Sequence, residues 1–550
     1  MPAPANLPFG RSLADFEPLQ PAEEKLREAC RRGEFAVVGP SRPDVGSKEN
    51  TVRASVLRFF LLGGDAQAPV HEHGVQLRGA FIEGSLDLRG AMVPHAASVL
   101  NTRFSGALML REARIGDSLT LTGSEVSDIN ADAADIKGSV FLNQGFKATG
   151  EVRLLGAQIG GNLSCGDGQF EVKEGNALSA DGADIKGDVF LNQGFKAAGT
   201  VRLLGAQIGG NLSCGGGQFE VKEGNALSAD GMNVNGSFFF RGLKGAASGV
   251  SLAAASVGQL IDDEASWGGA AVLDGFRYAA IAGGAPTSAQ ARLGWLDKQV
   301  PAHAGLGDSG REFRPQPWRH LQSVLREMGH AEDARQVAIA FENRLRDANQ
   351  IGIAPPNWGW LRAPPYRFTA RAFHRAFGML TGYGYRPTRL LLWFVSIWLA
   401  CAAFYWFVAL PPQGVFAPSD PLVFQNQAYA ACVPGSDEAQ RELKKPPHAQ
   451  PPAVRGAGNW YLCASLREEY SGFSPLTFSL DVILPLVDLH QEKSWGPLIP
   501  TPDRNVVTEL FTFSWKHVTR LLIWFETLFG WVASLLLVAI VSGLAKRRDD

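Results

Sequence analysis

A stretch of 49 residues occurs twice in tandem with four differences, and no other feature restricts the fold of this 550-residue chain as strongly. The first copy, "ADIKGSVFLNQGFKATGEVRLLGAQIGGNLSCGDGQFEVKEGNALSADG", occupies 134–182 and the second occupies 183–231. They differ at Ser139/Asp188, Thr149/Ala198, Glu151/Thr200 and Asp167/Gly216. Adjacent segments this alike adopt one local structure and bury a continuous core by stacking. Each copy is itself double: "ADIKGDVFL" and "AQIGGNLSC" share the pattern Ala-x-Ile-x-Gly-x-apolar-x-apolar. Its marker residue recurs at Ile136, Ile159, Ile185, Ile208, Val234 and Val257, in steps of 23 or 26 residues. Looser turns upstream place Ile82 and Ile115 in the same role. Alternation over a few residues marks a short strand with one buried face, and glycine supplies the corners. The spacing therefore predicts a β-solenoid over 76–285, of roughly eight coils and about 40 Å at ~4.8 Å per coil.

The turns "GAQIGGNLSC" and "GAFIEGSLDL" resemble degenerate pentapeptide repeats over about 76–265, which implies a right-handed, four-sided β-helix. Cys165 and Cys214 occupy an inward slot two coils apart, roughly 9–10 Å, beyond the ~7 Å reach of a disulfide, and read as core thiols. Such a stack needs covered ends. Upstream, "SKENTVRASVLRFFLLGG" predicts a capping helix within 1–75, with Asn50 as N-cap, Val52, Val56, Phe59, Phe60 and Leu62 inward, and Gly63-Gly64 as the stop. Downstream, 286–355 holds a helix–glycine–helix hairpin. Trp318, Leu321, Val324 and Leu325 line one stripe, and Ala334, Val337, Ala338 and Phe341 the other, around Gly329. The hairpin resembles one tetratricopeptide unit and docks on the last coil or receives a partner helix.

The last third is written for a bilayer. Residues 390–410 hold no charge and 521–544 hold only Glu526, so each is long enough to span. Arg362, Arg367, Arg371, Arg375, Arg386 and Arg389 precede the first span, and Lys546, Arg547 and Arg548 follow the second. Basic flanks stay inside, so both termini read as cytoplasmic and 411–517 as a periplasmic loop. In that loop Cys432 and Cys463 are able to pair in an oxidising compartment, or to remain separate thiols. The juxtamembrane stretch 356–389 is basic and aromatic, an interfacial helix with Arg371, Arg375, Arg386 and Arg389 at lipid headgroups. "GYGYRP" (382–387) resembles a channel filter in letters but falls on the cytoplasmic side; it reads as a joint, with Tyr383 and Tyr385 as headgroup anchors. Within the loop, "SPLTFSLDVILPLVDLHQ" predicts a helix over 474–490, either re-entrant or amphipathic on the surface. In a re-entrant arrangement Asp481 and Asp488, with Glu526 on the span, are candidate pore acids.

The remaining motifs carry little chemistry. With 52 basic and 54 acidic residues the chain lacks the charge of a nucleic-acid binder. "GLGDSG" (305–310) is not preceded by a strand and is followed by prolines, so it fails as a dinucleotide loop. His71, Glu72 and His73 read as a polar corner, since further metal ligands are not evident nearby. No catalytic residue, cofactor or metal is assigned.

Together, "RASVLRFFLLGGDAQAPVHEHGVQLRGAFIEGSLDLRGA", "QIGGNLSCGGGQFE", "GYGYRPTRLLLWF" and "FSLDVILPLVDLHQEKSW" resemble a family of uncharacterised bacterial membrane proteins, some labelled membrane-associated oxidoreductase. The resemblance covers nearly the whole chain. It implies a protein of the bacterial inner membrane, and the label alone implies redox activity. The reading of the residues is a mainly β protein: a cytoplasmic solenoid, a helical adaptor and two transmembrane helices, homo-oligomeric, with the solenoid binding an unknown protein partner. Its function is that of a scaffold or sensor, with a solenoid-regulated ion channel as the alternative.

Overall fold

The computed structural model describes residues 12–172, 174–221, 224–245, 247–306, 312–359, 361–446, 456–468, 470–498 and 514–542. The basic tail Lys546, Arg547 and Arg548, most of "GLGDSG" and the first eleven residues lie outside them. The chain divides into two compact units, Met1–Asn357 and Trp358–Asp550.

The first unit is a β-solenoid of about nine turns, its strands paired in parallel. A full coil carries four strands of mostly two residues each, for example Arg114–Ile115, Leu119–Thr120, Glu125–Val126 and Ile129–Asn130. In each the apolar residue points inward, so four columns of side chains run the length of the stack. On one side Ile115, Ile136, Ile159, Ile185, Ile208, Val234 and Val257 pair in unbroken register. The 49-residue repeat thus spans two whole coils, and the 23- and 26-residue steps differ only in corner length. On another side Phe146, Phe170, Phe195 and Phe219 form a ladder with ring centroids 5.6, 5.2 and 5.4 Å apart. Cys165 and Cys214 are free and fully buried, and burial pushes both thiols far above their ordinary range.

One register expectation is corrected. Ile82 does not belong to the marker column: it pairs with Val52 and Phe104 on a different side, and Val93 precedes Ile115. All four sides share the same short alternation, so sequence spacing alone does not say which side a strand occupies.

The ends are closed by helices and by buried ion pairs. At the N-terminal end, α1 (Pro21–Arg32) starts with proline after a Gln20–Glu23 capping box and stops at Gly33 in the left-handed region. α2 (Ala54–Leu61) is shorter than the sequence predicts. Asn50 is not its cap; it accepts the Ser47 amide at 2.7 Å, and Val52 lies in the preceding strand Thr51–Arg53. Solenoid pairing begins well before residue 76, because Ala36–Val37 and Thr51–Arg53 already pair with the next turn. Glu23, fully buried, takes the Arg53 guanidinium at 2.8 and 2.6 Å and the Arg53 amide at 2.9 Å.

At the C-terminal end the exposed edge is the strand Arg277–Ile281. An unpaired edge invites association, and here α4 (Gln316–Glu327) covers it. Gln316 Oε1 accepts from Gly275 N at 2.9 Å, the His320 ring meets Tyr278 N at 2.9 Å, and Met328 sulfur accepts from Ile281 N at 3.4 Å. The hairpin of α4 and α5 (Ala331–Asp347) therefore docks on the last coil. Beneath it, Arg292 on α3 (Ala289–Leu296) makes a bidentate pair with Asp262 at 2.7 and 2.8 Å; both side chains are almost wholly buried. The guanidinium lies 5.3 and 5.2 Å from the ring centroids of Trp267 and Trp295.

A two-coil repeat makes a direct prediction about tolerance. In-frame removal of 134–182 joins Ala133 to Ala183 and gives every rung a near-identical neighbour: Val126 meets Ala197 in place of Ala148. The shortened chain is expected to melt in one cooperative transition within roughly 5 °C of the parent. Removing only 134–145 breaks the coil phase and is expected to abolish that transition. Circular dichroism melts of both variants check this.

The second unit holds two helices long and apolar enough to cross a membrane, α7 (Thr388–Ala409) and α12 (Trp515–Val541), both with mean hydropathy 2.0. Only 22% and 17% of their most apolar stretches are buried, so most of their apolar surface faces outward, unlike a soluble core helix. Their inward residues mix small, polar and large side chains: Leu390, Cys401, Ala402, Tyr405, Val408 and Ala409 on α7, and Thr519, Glu526, Gly530, Ala533 and Ile540 on α12. Between α7 and α12 the chain forms two short helices, α8 (Pro421–Phe424) and α9 (Asp437–Leu443), then α10 (Pro475–Ile483) and α11 (Gln491–Ser494). Strands Phe416–Pro418 and Trp495–Pro497 pair antiparallel and close the lobe.

Candidate functional site

The polar centre of the second unit is Glu526. It lies on α12 about 17 Å from Trp515 at 1.5 Å per residue, and its side chain is fully buried. Two other elements, α7 and α10, supply its surroundings. Tyr405 on α7 donates its hydroxyl to Glu526 Oε2 at 2.7 Å. Ser479 on α10 bonds the other carboxyl oxygen. The buried Cys401 thiol lies one turn before Tyr405 on the same helix.

This placement follows from packing. α10 starts at Ser474, whose hydroxyl caps Thr477 N, followed by Pro475 at the first helical position. It inserts Phe478, Ser479, Val482 and Ile483 between α7 and α12. Gly530 makes room: a β-carbon there would lie 1.9 Å from the Ile483 carbonyl oxygen. The Trp398 indole donates to the Leu476 carbonyl at 3.0 Å, tying α10 to α7. Phe478 packs edge-on to Tyr405 and Phe416, which holds the Tyr405 ring in place.

The hydrogen bonds around Glu526 close in two ways. With an ionised carboxylate, Tyr405 and Ser479 each donate to one oxygen. With a neutral carboxyl, its proton goes to Ser479 Oγ, and the Ser479 hydroxyl turns to the Trp398 carbonyl 3.0 Å away. Both states leave no buried polar atom of the trio unpaired, so the centre can exchange one proton without repacking. Glu526→Gln keeps both bonds, whereas Glu526→Leu strands the Tyr405 hydroxyl and leaves Ser479 only the Trp398 carbonyl. The expected loss on unfolding in detergent is under about 1 kcal/mol for glutamine and about 1–2 kcal/mol for leucine. Equal losses would show that the charge itself is required.

The two loop acids have other tasks. The segment predicted as one helix over 474–490 is helical only to Ile483. Asp481 turns back on its own loop, accepting Leu489 N at 2.6 Å and Glu492 N at 2.8 Å, the latter at the start of α11. Asp488 is exposed and paired with Lys493; that ammonium and the His490 amide hold its carboxyl below the usual range. Asp481→Ala leaves two amides without acceptors and is expected to destabilise 484–494 by about 1–3 kcal/mol, read as faster hydrogen exchange at Leu489 and Glu492.

Cys432 and Cys463 are disulfide-bonded, with Cα atoms 5.6 Å apart. Asn459, close by in sequence, donates to the Ala409 carbonyl at 2.9 Å and so satisfies the last turn of α7.

The joint at 382–387 is tightly built. Gly382, Tyr383 and Gly384 all adopt positive φ, so the chain reverses between α6 (Ala363–Thr381) and α7. Tyr383 is not presented outward as a headgroup anchor. It is 9% exposed, with its ring on His374 at 4.6 Å and against Gly378, where a β-carbon would lie 2.4 Å from it. It braces α6. Arg375 is exposed, while Arg371, Tyr385, Arg386 and Arg389 are half-buried.

In the first unit His71, Glu72 and His73 bring their ligand atoms within 4.8 Å of one another. Both rings already serve the corner: His71 Nδ1 accepts the His73 amide at 3.1 Å, and the His73 ring bonds the Gly33 carbonyl at 3.1 Å.

Tyr405, Ser479 and Cys401 are the members of the Glu526 centre that sequence reasoning does not find. Tyr405 and Ser479 lie 121 and 47 positions from it, and no local pattern links them. A scan against family models, a search of curated proteins and a search of solved structures match nothing to this chain.

Proposed function

We propose that this protein is a non-enzymatic scaffold or sensor of the bacterial inner membrane, presenting a cytoplasmic solenoid as its interaction surface. The observation that carries the reading is the stack itself. Near-identical coils repeat one set of outward side chains along each side, which supplies a regular docking surface rather than one unique constellation. The sidedness rests on the basic residues before α7, and on a disulfide in the lobe between the long helices, which suits an oxidising compartment. A right-handed coil and membership of the resembled family belong to the same proposal. The test is chemical cross-linking of the full chain in its native membrane, using four variants that each replace the outward residues of one side. A defined cross-linked protein that disappears with one side supports the reading. Four variants with unchanged cross-links overturn it.

A second reading, an oligomeric channel regulated by the solenoid, is favoured by the insertion of α10 between α7 and α12. Planar-bilayer recording of the purified chain tests it. Currents altered by Glu526→Gln support it, and silence at every voltage and pH tried counts against it.

A further inference from the structure

Three of the four solenoid sides are polar on the outside and one is not. Outward positions in register read Asp135, Gln158, Asp184, Gln207 on one side and Lys147, Gln169, Lys196, Gln218 on another. A third reads Arg153, Ser179, Arg202, Ser228. The fourth reads Phe141, Ser164, Phe190, Ser213, Phe239. All five are partly exposed. Three partly exposed phenylalanines, alternating with serines on the outer face of a sheet whose core is already filled, are surface that the fold itself does not need.

We propose that this side is a homodimer interface, occupied by a second copy of the chain lying antiparallel across it; the inference rests on the reading of the solenoid as an interaction surface. Two things point to a second copy. First, the two-coil repeat alternates large and small residues in adjacent outward columns: Phe/Ser here, Lys137/Gly160/Lys186/Gly209 on one flank and Asn143/Gly166/Asn192/Gly215 on the other. Phenylalanines therefore recur every ~9.6 Å, with a gap of equal length between them. Reversing one copy about a two-fold axis between the rungs of Phe190 and Ser213 sets each Phe190 over the other's Ser213 and each Phe239 over the other's Ser164. The flanking lysines and asparagines then face glycines. An isologous contact needs this kind of self-complementarity. Second, the charges are already neutralised within each copy: Lys137 pairs with Asp135 at 2.8 Å and Lys186 with Asp184 at 2.7 Å, so like faces do not repel.

The test uses the full chain in detergent. Sedimentation of the unmodified protein over a hundredfold concentration range is expected to show a dimer that dissociates on dilution. The triple variant Phe141→Ser, Phe190→Ser, Phe239→Ser copies the residue of the alternate rungs, so the coil is kept. It is expected to dimerise at least tenfold more weakly, with an unchanged circular dichroism melt. Ser164→Cys with Phe239→Cys provides a second readout that does not depend on losing side chains. Within one chain these positions are three rungs, ~14 Å, apart, too far for a disulfide; an antiparallel copy brings them together. A covalent dimer on oxidation supports the arrangement. A monomer at every concentration, or a triple variant that dimerises as before with no disulfide in the cysteine pair, overturns it. The cross-linking of the four single-side variants reports separately. A side-dependent partner on a monomeric chain leaves the scaffold standing without the dimer, and its absence removes the scaffold.

Discussion

Replacing Asp262 with alanine is expected to cost the solenoid about 3–5 kcal/mol, the usual penalty for leaving a buried charge without its partner. Arg292 is 0% exposed and its guanidinium has no route to water. Asp262 also accepts the Trp267 indole at 2.9 Å, so the substitution orphans a second donor. The effect should appear at the C-terminal end of the stack, where α3 and the α4–α5 hairpin cover the last rung. A lowered melting temperature, with early loss of hydrogen-exchange protection in 256–281, is the expected signature. Replacing both partners, Asp262→Leu with Arg292→Met, should recover more than half of the loss, because no uncompensated charge then remains. A double variant as unstable as the single one would show that the aromatic stack around Arg292, rather than the ion pair, holds the end.

Removing the Cys432–Cys463 bridge is expected to destabilise the lobe between the long helices by about 3–4 kcal/mol, the chain-entropy value for a loop of this length; the cysteines are 31 residues apart. Cys463 and Trp460 are both packed in that lobe's core with Tyr429 and Leu466. The Cys432→Ser, Cys463→Ser variant should therefore open around 427–468 while the solenoid keeps its own transition. Proteolysis of purified protein, with fragments identified by mass, distinguishes the two. Cleavage confined to the lobe is the expected result, and an unchanged digestion pattern would contradict it.

How much of this was legible depends on the range of the interactions. The solenoid was legible because a stack of near-copies makes long-range order a local property: each rung meets only its neighbours. The side on which Ile82 lies was not, since 82, 104, 126 and 148 recur at spacings as regular as the marker column. α1 carried its signals openly: Pro21, Glu23, Gly33 and an apolar stripe of Ala22, Leu26, Ala29 and Cys30. The two long apolar helices were legible from length and composition. Glu526 was visible as an acid in one of them, but its partners were not, because α10 reaches it only by folding back. Asp481 reads as an acid on an apolar helix; its two backbone donors, Leu489 and Glu492, lie beyond a bend that composition does not announce. Tyr383 looked like a headgroup anchor until Gly378 provided the space into which its ring folds.

The central claim is that the solenoid lies in the cytoplasm and the disulfide-bonded lobe on the far side of the membrane. Its most direct test places one exposed cysteine in each: Arg111→Cys on the solenoid and Leu443→Cys on the lobe, 61% exposed at Leu443 and 63% at Arg111 in the parent. Intact cells are treated with a membrane-impermeant maleimide before and after permeabilisation. The account expects labelling at 443 in intact cells and at 111 only after permeabilisation. Labelling at 111 in intact cells, with 443 protected, would contradict it.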